Sequence, residues 1–565
     1  MQKEKIIIYQ VLPRLFGNET KELVHNGDIT VNASGKLADF TDTALKEIKS
    51  LGANYIWYTG IIEHATQSDF SKYGIPKDHP AVVKGKAGSP YAIKDYYDIA
   101  PALAVDITQR MKEFELLIDR THKNGLKVII DFVPNHVARQ YHSDNQPKGI
   151  KELGKHDDTT KSFSPYNNFY YIPQRAFDPQ FNTEAEGLGR YVEFPAKVTG
   201  NDRFSASPSK NDWYETVKLN YGVDYLNGGV KHFNPIPDTW YKMCDILLFW
   251  ASKKIDGFRC DMVEMVPVEF WEWVIPILKE KHPRILFIAE AYNPNQYKNY
   301  LLRGGFDYLY DKVGLYDTLK AIIQKKAPAS QITSCWQNLN GLQSRMLYFL
   351  ENHDEQRIAS PFFAQNPFKA LPALTVSACL GVNPLMIYNG QEFGEQGMDK
   401  EGFSGQDGRT SIFDYWSMDT VRRWKNNNKF NLSQMTTREI RLYQAYKKML
   451  NIAKDELAIT DGQFFDLMYV NPTSNQFDPN QHYVFLRKYK NEILLIAVNF
   501  GEEAIELSIN IPQHAFDYLG MKQKNRIESK DLLTNKKEVI TFTYERPTRT
   551  FLEPLGSKIL KLDYK

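Results

Sequence analysis

At 565 residues, the chain exceeds one ordinary domain; roughly 150 residues per domain would divide it into about three or four, although a barrel can absorb about 250 alone. A hydrophobic share of 42% excludes a disordered or collagen-like chain. Lys and Arg number 70 against 68 Asp and Glu, a net charge of +2, so no electrostatic reason exists to expect nucleic acid or a membrane surface as a partner.

The N-terminal stretch MQKEKIIIYQVLPRLFG holds only a short Ile run, too brief for a secretory h-region or a membrane span. A cytoplasmic location is therefore expected. Short apolar runs then alternate with helical patterns. The runs are Ile6–Leu12, Asn54–Thr59, Lys127–Phe132, Ile255–Asp261, Ile285–Glu290, Phe306–Tyr310, Met346–Glu351 and Leu385–Asn389, and their weak alternation predicts strands buried on both faces. Helices are predicted between them at Thr41–Leu51, Thr108–Asn124, Thr239–Lys254, Val268–Lys281, Gly314–Lys326 and Phe368–Leu380. Gly52 and Gly125 follow the first two where a C-cap belongs. Eight strand–helix repeats predict a (β/α)8 barrel rather than an open sheet.

Two segments break the rhythm. Val137–Val230 is rich in Asn, Asp, Pro, Ser and Tyr, and a connection this long predicts a separate excursion from the third strand. After a helix at Arg438–Ala453, alternating runs at Tyr483–Arg487, Ile493–Asn499 and Val539–Tyr544 predict a C-terminal antiparallel β-sandwich. The expected organisation is a barrel of residues 1–136 and 231–455, an inserted domain of 137–230 and a sandwich of 456–565. Cys244, Cys260, Cys335 and Cys379 show no metal spacing, and buried free thiols are expected.

In such a barrel the reacting groups project from the C-terminal ends of strands. Those ends carry DFVPNH (Asp131–His136), GFRCD (Gly257–Asp261), Glu290, and the run Glu351, Asn352, His353, Asp354. A lone acid there usually caps a helix or pairs with a lysine. Several in one mouth disfavour one another and need a chemical reason. Retaining glycoside hydrolysis supplies one: a carboxylate attacks the anomeric carbon, and a protonated partner about 5.5 Å away donates to the leaving oxygen. Asp261 suits the nucleophile, because Arg259 lies on the same strand face and would hold it ionised. Glu290 follows an apolar run, so partial burial should raise its proton affinity. Asp354, His353 and His136 could grip sugar hydroxyls. Aromatic residues at 13% would suit stacking on sugar rings, and the Tyr-rich excursion, including Tyr166–Tyr171, Trp213 and Tyr214, is expected to roof the cleft.

These motifs, in this order, resemble the α-amylase family of glycoside hydrolases over essentially the whole chain. The resemblance implies a (β/α)8 barrel, a B domain inserted after strand three and a C-terminal sandwich. It also implies Asp261 as nucleophile, Glu290 as acid/base and Asp354 as transition-state stabiliser. Arg259, His136 and His353 would line the subsite before the scissile bond. Tyr91, in SPYAIKDYY, would stack under that sugar, and GQEFGEQG (Gly390–Gly397) is similar to the family's strand-eight region.

Departures bear on specificity. Glu264 and Met265 stand where many members carry a lysine and a histidine, and Met262 matches neither of the residues common in α-1,4- and α-1,6-acting members. Linkage preference stays open. Asn135 matches the family's first calcium ligand, but Lys218 stands where a ligand Asp is expected. An ammonium could replace the cation, so no metal and no cofactor is expected. A secondary likeness, carried by Leu247–Trp250, Phe270–Trp273 and the run AEAY ending at Tyr292, is to maltosyltransferases that use maltose 1-phosphate, although their motif after the nucleophile is absent.

The leading reading is a retaining hydrolase of α-glucans or maltooligosaccharides, with an oligosaccharide or polysaccharide as partner. An α-glucan transglycosylase on the same machinery is the alternative. A non-catalytic sugar-binding protein ranks below both, since all three acids remain. A metal-dependent barrel hydrolase lacks a ligand histidine on strand one. Oligomeric state is not legible.

Overall fold

The computed structural model describes residues 4–397 and 405–564; residues 1–3, 398–404 and 565, which fall within the expected barrel and C-terminal segments, lie outside the described residues. Eight strands close a parallel barrel: β1 (Ile7–Val11), β2 (Tyr55–Tyr58), β3 (Lys127–Phe132), β4 (Gly257–Cys260), β5 (Leu286–Ala289), β6 (Tyr308–Tyr310), β7 (Met346–Phe349) and β8 (Leu385–Tyr388). β1 pairs with both β2 and β8, which closes the ring. Each predicted run holds one of these strands.

Alternation along the strands divides them between two cores. Ile8, Trp57, Ile129, Ile288, Tyr310, Leu347 and Met386 pack together inside the ring. Their neighbours Ile7, Tyr9, Ile56, Val128, Ile130 and Phe287 face the surrounding helices in the larger core. Both faces are therefore apolar, and a period-2 polar pattern has no place.

The first barrel helix shows how local signals act. The Thr41 side chain accepts from Ala44 N at 3.2 Å and caps Asp42–Leu51, whose Ala44, Leu45, Ile48 and Leu51 are buried on one face. Gly52 ends it at φ +123°, and a Cβ there would meet Leu450 at 2.8 Å. Glycine is needed for both reasons. The helix at Thr437–Asp455 carries a complete capping box between Thr436 and Glu439.

Between β2 and the next helix runs an unpredicted hairpin, Ile62–His64 against Ile93–Ile99. After β3, His136–Ala138 pairs antiparallel with Thr216–Lys218, so the 137–230 excursion returns to the mouth from which it left. Its other sheets are two-stranded. At the C-terminus six strands, from Gln463–Asp466 to Ser557–Leu562, form an antiparallel sheet, and Ile505–Ile509 pairs with Thr548–Leu552 in a second one. All four cysteines are free and buried. Among the described residues no helix is long and apolar enough to cross a membrane.

Candidate active site

The parity that fills the barrel also aims the polar groups. Ile129 and Asp131, Arg259 and Asp261, and Ile288 and Glu290 are each two residues apart, so Asp131, Asp261 and Glu290 follow the interior face out to the C-terminal rim. Asp131 and Arg259 are direct cross-strand neighbours.

Arg259 is the hub. It is 1% exposed, and its Nη1 donates to Asp261 Oδ1 at 2.6 Å while Nη2 lies 2.8 Å from Glu290 Oε2. Asp131 Oδ1 stands 3.5 Å from the same Nη1. Asp131 also accepts from Trp57 Nε1 at 2.9 Å and from the Tyr91 hydroxyl at 3.2 Å. Burial pushes Asp131 up to about 6 against the pull of Arg259. Glu290 accepts from Met262 N at 2.9 Å and from the Tyr292 hydroxyl at 2.6 Å. Asp261 is pushed well above the usual carboxylate range, first by burial and next by the Glu290 charge; the pull of Arg259 is weaker than both. From the sequence alone only that pull on Asp261 is visible. The structure adds its burial, at 6% exposure.

A chain of hydrogen bonds crosses the mouth. Gln10 Nε2 donates to His353 Nδ1 at 2.7 Å, His353 Nε2 donates to the Tyr91 hydroxyl at 2.5 Å, and Tyr91 donates on to Asp131. His353 Nε2 also lies 3.0 Å from Asp354 Oδ2. Burial, then Arg259, holds His353 well below the usual imidazole range. His136 is lowered to about 3 by burial, then by Lys218 and Lys84. Both rings are thus neutral near pH 7. The Asp354 side chain is 42% exposed and forms the solvent side of the cleft. Glu351 serves packing instead, accepting from Arg357 Nη1 at 2.9 Å and Ile358 N at 2.7 Å.

Tyr91, His136, Asp261, Glu290 and Asp354 line one cleft of about 380 Å³, and Arg259 and His353 stand directly behind it. All seven candidate residues are therefore brought together. Of the aromatic residues expected to roof the cleft, Trp213 lines it, with its ring 5.2 Å from that of His136, whereas neither Tyr214 nor any of Tyr166–Tyr171 is among the lining residues described. Sequence reasoning assigned no role to Asp131, Tyr292, Gln10 or Trp57. Asp131 and Tyr292 had a signal, the interior parity of β3 and the position two residues past Glu290. Gln10 and Trp57 come from β1 and β2 and had none. Glu264, in the place of the family's lysine, accepts from Tyr292 N at 2.7 Å and so fastens the loop after β5.

The residues around Asn135 do not fit a calcium ion. Lys218, 1% exposed, donates from Nζ to Asn135 Oδ1 at 2.7 Å and lies 3.5 Å from Met265 O and 2.5 Å from Asp202 Oδ1. The oxygens that a cation would need already hold an ammonium.

The chain is 24% identical over 394 residues to Alpha-amylase 3 of Dictyoglomus thermophilum, covering 66% of this chain and 68% of that one. It is 30% identical over 117 residues to an alpha-1,4-glucan:maltose-1-phosphate maltosyltransferase of Cereibacter sphaeroides, a match spanning 21% of this chain and 18% of that protein. In fold it is similar to the maltogenic alpha-amylase AmyB of Thermotoga neapolitana, with a TM-score of 0.64, 18% identity and 99% of each chain covered. An alpha-amylase of Geobacillus thermoleovorans, solved with acarbose, gives a TM-score of 0.64 at 19% identity, covering 99% of this chain and 98% of that one. The family model for the alpha-amylase catalytic domain matches residues 10–467, and the chain belongs to the alpha-amylase family as a glycosidase or transglycosylase.

Proposed function

We propose that this enzyme cleaves α-glucosidic bonds of α-glucans or maltooligosaccharides by double displacement, with Asp261 as nucleophile and Glu290 as acid/base. The observation that carries the reading is that one guanidinium, Arg259, grips both carboxyl groups. That favours the short spacing of a retaining pair over one separated by a water.

The steps follow from the contacts. Protonated Glu290 gives its proton to the glycosidic oxygen as Asp261 attacks the anomeric carbon from the opposite face; the C–O bond breaks and a glycosyl ester forms. Glu290, now a carboxylate, takes a proton from water, which displaces Asp261 with a second inversion. Asp261 has a raised proton affinity in the free cleft, first because it is buried and next because the Glu290 charge stands beside it. Positive charge developing on the sugar reverses that balance and stabilises the ionised acids most in the transition state. Asp354 adds to this from the solvent side. His136, whose Nδ1 accepts from Asn135 Nδ2, keeps Nε2–H to donate to a sugar hydroxyl, His353 holds the Tyr91 hydroxyl from behind, and Tyr91 offers its ring to the sugar face.

In this reading residues 1–136 and 231–455 form the catalytic barrel, 137–230 roof it, 456–565 brace it, and no calcium is held at Asn135. Transfer to a glucan acceptor is the second reading, favoured by the maltosyltransferase match. One experiment separates them: products from maltooligosaccharides, pullulan and isomaltosides are followed by NMR before mutarotation, beside Asp261→Asn. Short α-configured products from wild type alone support hydrolysis and identify the linkage. Elongated oligomers favour transfer. β-configured products, or activity persisting in Asp261→Asn, overturn the mechanism.

A further inference from the structure

Away from the cleft, acids from two segments converge. Glu63 lies on the strand Ile62–His64, Asp98 on Ile93–Ile99, and Asp144 in the loop that begins the 137–230 excursion. One oxygen from each lies within 4.8 Å of the other two. Asp95 faces Glu63 across the hairpin. Carboxylates this close and this buried repel one another unless a cation or a proton compensates them.

The compensation among neighbouring residues is partial. Arg110 pairs with Asp98 and stands 3.5 Å from Asp144. Asp95 is satisfied by Ser143 Oγ at 2.7 Å, Tyr97 N at 2.8 Å and Asn145 N at 3.1 Å. Lys94 is engaged with Asp78 at 3.1 Å. Glu63 is left over: it is 1% exposed, and neither of its carboxyl oxygens has a hydrogen-bond partner among the described residues. Burial, followed by the charges of Asp144, Asp95 and Asp98, pushes it up to about 9. An unpartnered acid inside a ring of acids is a poor structural element and a good ligand. Gln146, two residues past Asp144, also has a buried amide oxygen without a partner.

We infer that Glu63, Asp98 and Asp144 bind a calcium ion. The donors are all hard oxygens, with no nitrogen or sulfur to favour zinc or copper. Ca²⁺ accepts six to eight oxygens at about 2.4 Å, so carboxylates at this spacing can share one ion, with water completing the shell. Asp144, on the exposed side, gives the ion a way in. The ion's charge would meet Glu63, whose two carboxyl oxygens have no hydrogen-bond partner among the described residues. The bound ion would fasten the hairpin, whose second strand starts two residues after Tyr91, to the segment that follows His136–Ala138. It would thus brace two segments that line the cleft. The site is separate from Asn135, and it departs from the expectation of a metal-free chain.

The test uses the full chain, stripped with EDTA and then titrated with calcium chloride. Uptake is read by equilibrium dialysis and stability by the thermal midpoint. Wild type is expected to take up one calcium per chain, with the midpoint rising by several degrees. Glu63→Gln and Asp144→Asn are each expected to weaken uptake at least tenfold and to flatten the thermal response. Glu63→Gln should fold in EDTA, because it removes a buried carboxyl that has no partner there, and Asp144→Asn keeps the side chain's size and leaves Arg110 paired with Asp98. No uptake by wild type, or wild-type affinity in either folded variant, would overturn the assignment.

Discussion

Tyr292 donates its hydroxyl to Glu290 Oε1 at 2.6 Å, and its backbone N–H is held by Glu264 at 2.7 Å. The position of the proposed acid/base is thus set by a residue two places further along the chain. Tyr292→Phe keeps the ring and removes the hydrogen bond. A hydrogen bond to a charged group contributes about 1.5–3 kcal/mol, so kcat/KM should fall roughly 10- to 100-fold. Steady-state kinetics on a maltooligosaccharide checks it; an unchanged value would mean that Met262 N and Arg259 position Glu290 without help.

The proposed roles of Asp261 and Glu290 separate by leaving group. A general acid contributes about 10²–10⁴-fold, and only where the departing oxygen needs a proton. Glu290→Gln should therefore lose that factor on maltooligosaccharides and much less on an aryl glycoside with an acidic phenol. Asp261→Asn should lose activity on both. Burst kinetics with the aryl substrate would show the glycosyl-enzyme accumulating in Glu290→Gln, since its hydrolysis still needs the base. Equal losses on the two substrates would reassign Glu290.

What the sequence could show follows from the same geometry. Strands buried on both faces are apolar runs, and each polar residue ending such a run stands at the rim, so Asp261, Glu290 and Arg259 were legible from parity. The hairpin Ile62–His64 with Ile93–Ile99 was not, because its second strand, IKDYYDI, mixes charge and aromatics in no clean period and pairs through two register shifts. His136 was legible from its place just past the third strand's end, and Tyr91 only through family resemblance. Gln10 and Trp57 reach the site from β1 and β2, and only closure of the barrel reveals that. The burial of Asp261 depends likewise on walls contributed by distant segments.

Stability should depend on pH through Glu392. It is 1% exposed, accepts from the Tyr9 hydroxyl at 2.7 Å, and is pushed up by burial to about 7. A carboxyl whose folded-state value lies above its unfolded value binds its proton more tightly when folded. The fold therefore loses stability as pH rises from about 4.5 to about 7, by up to about 3 kcal/mol from this group. Glu392→Gln lacks that component. Its thermal midpoint should drop less than that of wild type between pH 5 and pH 8; parallel curves would show that Glu392 is already ionised at pH 5.

Lys218 gives the sharpest test of a cation replaced by a side chain. Its Nζ serves Asn135 Oδ1, Met265 O and Asp202. Lys218→Met keeps most of the volume and removes the charge. Breaking a buried pair costs about 3–5 kcal/mol, and the lower end applies because Asp202 is 41% exposed and can be hydrated. Lys218→Asp instead places a carboxylate beside Asp202 and the two orphaned oxygens, an all-oxygen set of the kind calcium binds. In EDTA it should be less stable than Lys218→Met, because like charges now face each other. In millimolar calcium that order should reverse. The comparison belongs in a Glu63→Gln background, where the proposed hairpin site is silent. If the thermal midpoint of Lys218→Asp ignores calcium, or Lys218→Met melts with wild type, then the ammonium is packing beside Asn135 and not standing in for an ion.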